Sequence, residues 1–353
     1  MSFIRELGFT TIDRRDSAFG ALARLESGDL VCGFNVGGGP EVTGGTDWAR
    51  SSDEGATWRH EGTILAPAER GRQREVNTLR LSQIAGDRVA AYGQRNTVTD
   101  GVTKFGRVGV EAVFCVSTPG ARGWSEARRV PFRYDCPLEI SNPILELADG
   151  RWLAPATVLA DERRLGEKVV TMESADHGET WGNEHTVLRD PAGENGFFEQ
   201  KLIEYAPGKL LACAWAVKLG SYTDLDNHFA LSDDGGRTRS EPKPLPTSGQ
   251  TLTPLHLGGA DFLFVYNQRR QPQGIRLALA ELRAGSWRGA ADEFLWTPKS
   301  SGASAKAGID SFDDFRFGLP SLLRLSDSRF LAVFWNHDDG AFGVCCKRFE
   351  LGG

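Results

Sequence analysis

Carboxylates and arginines recur at two kinds of place along this 353-residue chain. Some lead into short apolar runs: Arg15, Glu75, Glu139, Glu199 and Arg316. Others follow such runs: Asp47, Arg95, Arg269, and with them His228 and His337. Carboxylates crowded in a dry pocket cannot all ionise, so one rises to become an acid while another stays a base. The histidines are alternative proton carriers near neutrality. An arginine fork holds a carboxylate through two parallel hydrogen bonds. The residue types therefore suit acid/base chemistry on an anionic ligand, if the fold gathers them.

The elements that must gather them form an internal repeat. Ala21–Leu25 turns at 27–29 into Leu30–Phe34; Thr78–Leu81 turns at 86–87 into Arg88–Tyr92. Pro143–Leu147, Lys201–Tyr205, Thr253–Leu257 and Pro320–Leu325 each turn in the same way into a second apolar run. Gly, Asp and Pro at the reversals supply the backbone angles of tight hairpins. Six copies, spaced roughly 50–60 residues apart, predict an all-β six-bladed β-propeller with four-stranded antiparallel blades. The first strand of each unit lines the channel. Residues 1–15 close the ring by pairing with 342–346, which protects the sheet edges. The whole of 1–353 is read as one propeller domain.

A second motif runs in phase with the repeat. Ser51 to Trp58 and Ser174 to Trp181 both read S-x-D-x-G-x-T-W; Ser232 to Arg239 keeps all but the Trp; Ser117 to Trp124 lacks the Asp. The carboxylate of such a loop accepts backbone N–H groups, and the Gly takes a strained φ. On these motifs the chain resembles the sialidase superfamily of Asp-box propellers over essentially its full length. The resemblance implies that Asp53, Asp176 and Asp234 are structural. It also implies a small saccharide ligand at one end of the channel, carboxylate-bearing in sialidases. Glu199, ahead of Lys201-Leu202-Ile203-Glu204, matches the family glutamate, with Asp47, Glu75 or Glu139 as its acid/base partner and His228 as the alternative. Arg15, Arg95, Arg269 and Arg316 supply the clamp, with His337 beside them. Where the family tyrosine is expected, this sequence has Gly318-Leu319-Pro320. The expected activity is that of a sialidase-like glycosidase that departs from standard sialidase chemistry. A non-catalytic carbohydrate-binding propeller and a protein-interaction scaffold are the alternatives. Phe198, Trp215 and Trp335 are candidates for sugar stacking as well as for packing.

Composition narrows the classes. A net charge of −6 argues against general nucleic-acid affinity. No apolar stretch approaches the roughly 20 residues of a membrane helix. Met1–Glu6 has no basic segment followed by an apolar run, so a cytoplasmic protein is expected. The six cysteines have no zinc-type spacing and read as buried free thiols. No cofactor or metal is expected; Asp224, Asp226, Asp313 and Asp314 lack a defined cation-loop pattern. The Ser/Ala/Gly-rich stretch 299–310 is read as a loop beside the mouth.

Overall fold

The computed structural model describes residues 2–99, 109–161, 163–299 and 314–352. Asp313 and nearly all of the 299–310 stretch lie outside them. Six antiparallel sheets stand around a channel, and their order follows the repeat. Blade one is Ser17–Arg24, Leu30–Val36, Gly45–Ser51 and Arg59–Leu65, from the channel outward. Blade two has Gln73–Ile84 innermost, then Arg88–Thr99, Gly109–Val116 and the short Arg128–Arg129. Blades four and five begin at Asn195–Ala206 and Gln250–Gly258. Blade six runs Phe317–Arg324, Arg329–Asp338 and Ala341–Leu351, and its fourth strand is the N-terminal Ile4–Asp13. That strand pairs with the last one in antiparallel register, Thr10 opposite Cys346 and Thr11 opposite Cys345. Among the described residues no helix is long and apolar enough to cross a membrane.

Blade three differs from the sequence expectation. The run 143–147 was expected to be one strand, but the innermost position is shared by two fragments, Leu138–Glu139 and Leu145–Glu146. Pro143 has no N–H to give and lies in the break between them. Pro254 and Pro320 are kept within intact inner strands. Those strands have the channel on their free side, and proline is tolerated on a strand edge.

The core is made where neighbouring blades face each other. The S-x-D-x-G-x-T loops join the third strand to the outermost one and share one hydrogen-bond pattern. Asp53 Oδ1 accepts from Ser51 Oγ and Thr57 N, both at 2.8 Å, and Oδ2 accepts from Thr57 Oγ1 at 2.6 Å. Asp176 and Asp234 repeat this with Ser174 and Thr180, and with Ser232 and Thr238. The aromatic that ends each loop packs on the preceding blade. Trp181 meets Phe114 at 5.7 Å and Trp124 meets Trp48 at 5.9 Å, both edge-on, while Trp58 joins the cluster around Leu331 and Cys346. Such contacts are worth about 0.5–1.5 kcal/mol beyond their burial.

Arg239 occupies this place in blade four. Its Nη2 and Leu153 of blade three both crowd Gly236. All three guanidinium nitrogens are sealed from solvent without a hydrogen-bond partner, and burial lowers the Arg239 pKa to about 10. A buried charge without a partner destabilises the fold. Arg239→Trp is therefore expected to raise Tm by roughly 1–3 °C, about what 1 kcal/mol does in a chain of this size; calorimetry checks it, and a fall in Tm would mean that the slot does not accept an indole.

The same loops predict the acid response. The Thr57 and Thr180 hydroxyls and amides hold Asp53 and Asp176 down to about 2. A depressed folded pKa gives stability that is complete above the unfolded value near 3.8 and is lost as pH falls toward 2. Replacing both residues with Asn should lower Tm at pH 7 and flatten its decline between pH 4 and 2, as followed by circular dichroism.

Candidate functional site: the channel mouth

Inner strands built from alternating residues would point every second side chain at the channel. Four of the six depart from this at the same level. Phe19, Glu199, Thr251 and Leu319 all have left-handed φ, between +43° and +70°. Each sits where the register between first and second strand slips. These are bulges, which bend a strand and re-aim a side chain. A non-glycine residue held there costs about 1–3 kcal/mol.

The bulge in blade four sets Glu199 in a cluster of charges drawn from four blades. Its backbone N–H donates to Glu139 Oε2 of blade three at 3.1 Å. Glu199 is half-buried as a residue, but its Oε2 is sealed and has no hydrogen-bond partner. Burial raises the Glu199 pKa; Arg269 pulls it back, Glu139 pushes it further up, and Lys201 and Arg80 pull it back again. The three cations are buried. Burial lowers Arg80 and Arg269 to about 10 and Lys201 to about 8, while Glu199 holds all three up. Lys201 Nζ donates to the Ser141 carbonyl. Beneath the cluster a cavity of about 280 Å³ follows the channel, lined by Leu81, Ile144, Leu202 and Leu322 with Arg80 and Lys201.

Arg269 is packed under an aromatic ring with one guanidinium nitrogen unsatisfied. Its Nε donates to the Phe317 carbonyl at 3.0 Å, its Cζ lies 3.7 Å from the Phe315 ring centre, and its Nη1 has no partner. Gly318 makes this position accessible: a Cβ there would lie 2.1 Å from Arg269 Nη2. Beside it Asp224 accepts from Trp215 Nε1, Gln250 Nε2 and Arg270 Nε at 2.7–2.9 Å. Phe19 completes the wall, with Arg80 over its ring at 4.8 Å.

Of the residues expected from sequence, the structure brings together Glu139, Glu199 and Arg269. Asp47 lies on the third strand of blade one, where it accepts from Arg15 at 3.0 Å, His60 at 2.9 Å and Thr63 at 2.7 Å. Arg15 is held between Asp47 and Asp13. Arg95 is paired with Glu111 at 2.6 Å. Glu75 lies on the long inner strand of blade two, between Ala68 and Thr97. His228 bonds the Asp226 carbonyl at 2.8 Å within blade four. Arg316 and His337 line a separate cleft between blades five and six. Phe198, Trp215 and Trp335 are all buried. Among the tyrosines, Tyr92 donates to Pro155, Tyr134 to Glu184 and Tyr266 to Asp292, while Tyr222 accepts from the Leu165 amide. Arg80 and Lys201 were passed over in the sequence because they stand inside apolar runs. A charge at an otherwise core position was the signal that could have found them.

Comparison with solved structures agrees with this architecture. A protein of unknown function from Dyadobacter fermentans superposes with TM-score 0.71 at 18% identity, over 99% of this chain and 100% of that one. The Hadza microbial sialidase Hz136 gives 0.66 at 14% identity, over 94% of this chain and 65% of that one. This chain has the sialidase fold. An α-L-arabinanase from Penicillium chrysogenum, solved with arabinobiose, gives 0.63 at 13% identity over 97% and 98%. No family model matches the sequence, and no curated protein matches it.

The close approach at Gly318 yields a direct test. Gly318→Ala should push the Arg269 guanidinium off the Phe317 carbonyl, which a crystal structure of the variant checks. Tm should fall, because the added Cβ overpacks a buried position and unseats a buried cation, although residue 318 itself does not have a left-handed φ. A crystal structure of the variant with Arg269 unmoved would show that the site has more slack than the distances imply.

Proposed function

We propose that this protein is a glycosidase-like propeller whose channel mouth takes a small, carboxylate-bearing saccharide. One observation carries the reading: two carboxylates and three buried cations meet at the mouth, and both Glu199 Oε2 and Arg269 Nη1 are without partners there. Three cations face at most two carboxylate charges there, so at least one positive charge is left to be met by a ligand. A carboxylate bound to Arg269 would satisfy the orphaned donor and bring the sugar over the glutamates. Glu199, raised by burial, serves as the acid, with Glu139 as the second carboxyl group. Glycosidic cleavage uses two carboxyl groups in these unequal roles. Lys201 and Arg80, with Arg269, oppose the rise that burial gives Glu199. The superposed folds include a sialidase and an arabinanase, which supports glycoside chemistry as the class. In this reading the Ser51, Ser174 and Ser232 loops are Asp boxes, and Asp53, Asp176 and Asp234 serve the scaffold alone.

The test is a screen of aryl glycosides of uronic and sialic acids. Glu199→Gln should lower turnover by roughly 10²–10⁴-fold, the usual worth of a general acid, with Tm unchanged. Retained turnover would remove Glu199 from the chemistry. Binding of the acid sugar without release of product from the wild type would make this a binding propeller.

A further inference from the structure

The sequence placed Arg316 and His337 with the other ligand-binding candidates, but the structure sets them in a cleft of their own. It lies between the outer strand of blade five, Ser286–Trp296, and blade six. Its volume is about 500 Å³, within the range of small-ligand sites. We propose that this cleft is a second saccharide subsite, specific for an acidic sugar residue.

The floor is aromatic. Trp296 and Phe9 both pack on buried Phe334, with ring centres 5.1 Å and 6.4 Å from it. Phe9 is 42% exposed, unlike the other large hydrophobic side chains described. An exposed ring beside polar groups is a platform for the C–H face of a sugar. Leaving Phe9 bare to water instead would forgo its burial.

The rim is charged, with cations in excess. Arg14, Lys299, Arg316 and Lys347 line the cleft against Glu6 and Asp338. Lys347 pairs with Glu6 at 2.7 Å, and Lys299 and Arg14 approach Asp338 at 2.7 Å and 4.0 Å. Asp339 adds to the negative field at Lys299. The cations still outnumber the acids. Arg316 is exposed and has no ion pair or side-chain hydrogen bond among the described residues. It is the fork left open for a carboxylate or sulfate. The carboxylates and Asn336 can accept from ring hydroxyls, a mixture that a sugar acid needs and that a bare phosphate does not.

The cleft adjoins the mouth along the chain. Arg316 directly follows Phe315, whose ring covers Arg269, and successive Cα atoms are about 3.8 Å apart. The cleft stands as a site of its own whether or not the mouth takes a saccharide.

Calorimetric titration in an Arg269→Met background, with folding verified by Tm, isolates the cleft from the mouth. The probes are a glucuronic-acid-containing disaccharide, its methyl ester, and uridine diphosphate. The free acid should bind, and Arg316→Gln, Phe9→Ala or esterification should each weaken it at least tenfold. Equal binding of acid and ester, indifference to both substitutions, a preference for the nucleotide, or no binding at all would overturn the proposal. If Arg269→Met does not fold, wild-type crystals soaked with the disaccharide decide: density against Arg316 and Phe9 supports the subsite, and density at Arg269 alone overturns it. Cleft binding that persists while Glu199→Gln leaves turnover unchanged would separate a failure of the catalytic reading from a failure of this one.

Discussion

Every feature of the channel mouth depends on the pairing of Ile4–Asp13 with Ala341–Leu351. The residues that meet there come from different blades, so no local segment can build the site. Glu139 belongs to blade three, Glu199 and Lys201 to blade four, Arg80 to blade two and Arg269 to blade five. They converge only when the ring is shut, and the strand that shuts it comes from the opposite end of the chain. Closure also removes the exposed sheet edge that an open ring would leave. The contacts between blades, Trp181 on Phe114 and Trp124 on Trp48, then hold the angle at which neighbours meet.

The architecture was legible because it is periodic. Hairpins with Gly and Asp at fixed offsets, and S-x-D-x-G-x-T loops in phase with them, repeat one local solution. The exception, the broken inner strand of blade three, was also written in the sequence as Pro143, but its effect depends on which groups Pro143 would have had to bond. The site was less legible because side-chain direction is not periodic there. Arg95 and Asp47 stand at the right level of their blades, yet each is already bonded to a neighbour on an outer strand, Glu111 and Thr63. Glu199 was found by resemblance, and it reaches Glu139 and Arg269 through a bulge that no hydrophobic pattern announces. Arg80 and Lys201 sit within apolar runs, where nothing in the local pattern marks them as functional.

Those two residues also show where the molecule gives up stability. Burying a cation is unfavourable unless it is well paired, and three lie within one cluster. The rest of the fold is consistent at every level, from turn residues to packed rings. Local inconsistency in an otherwise consistent fold is the mark of a working site. Arg239 is the instructive contrast. It is a buried cation too, but it lies on the rim, where it replaces an indole, feels Asp234 from a distance and has no hydrogen-bond partner.

The bulges carry a consequence beyond this cluster. Phe19, Glu199, Thr251 and Leu319 occupy one structural position in four blades, yet they are an aromatic, an acid, a hydroxyl and an aliphatic residue. The backbone that presents them is set by the ladder around each slip, and it has accepted four unlike side chains. The ring thus behaves as a set of sockets at one level, of which those of Phe19 and Leu319 share a core cluster. A new specificity could be reached by exchanging the occupants and leaving the blades as they are.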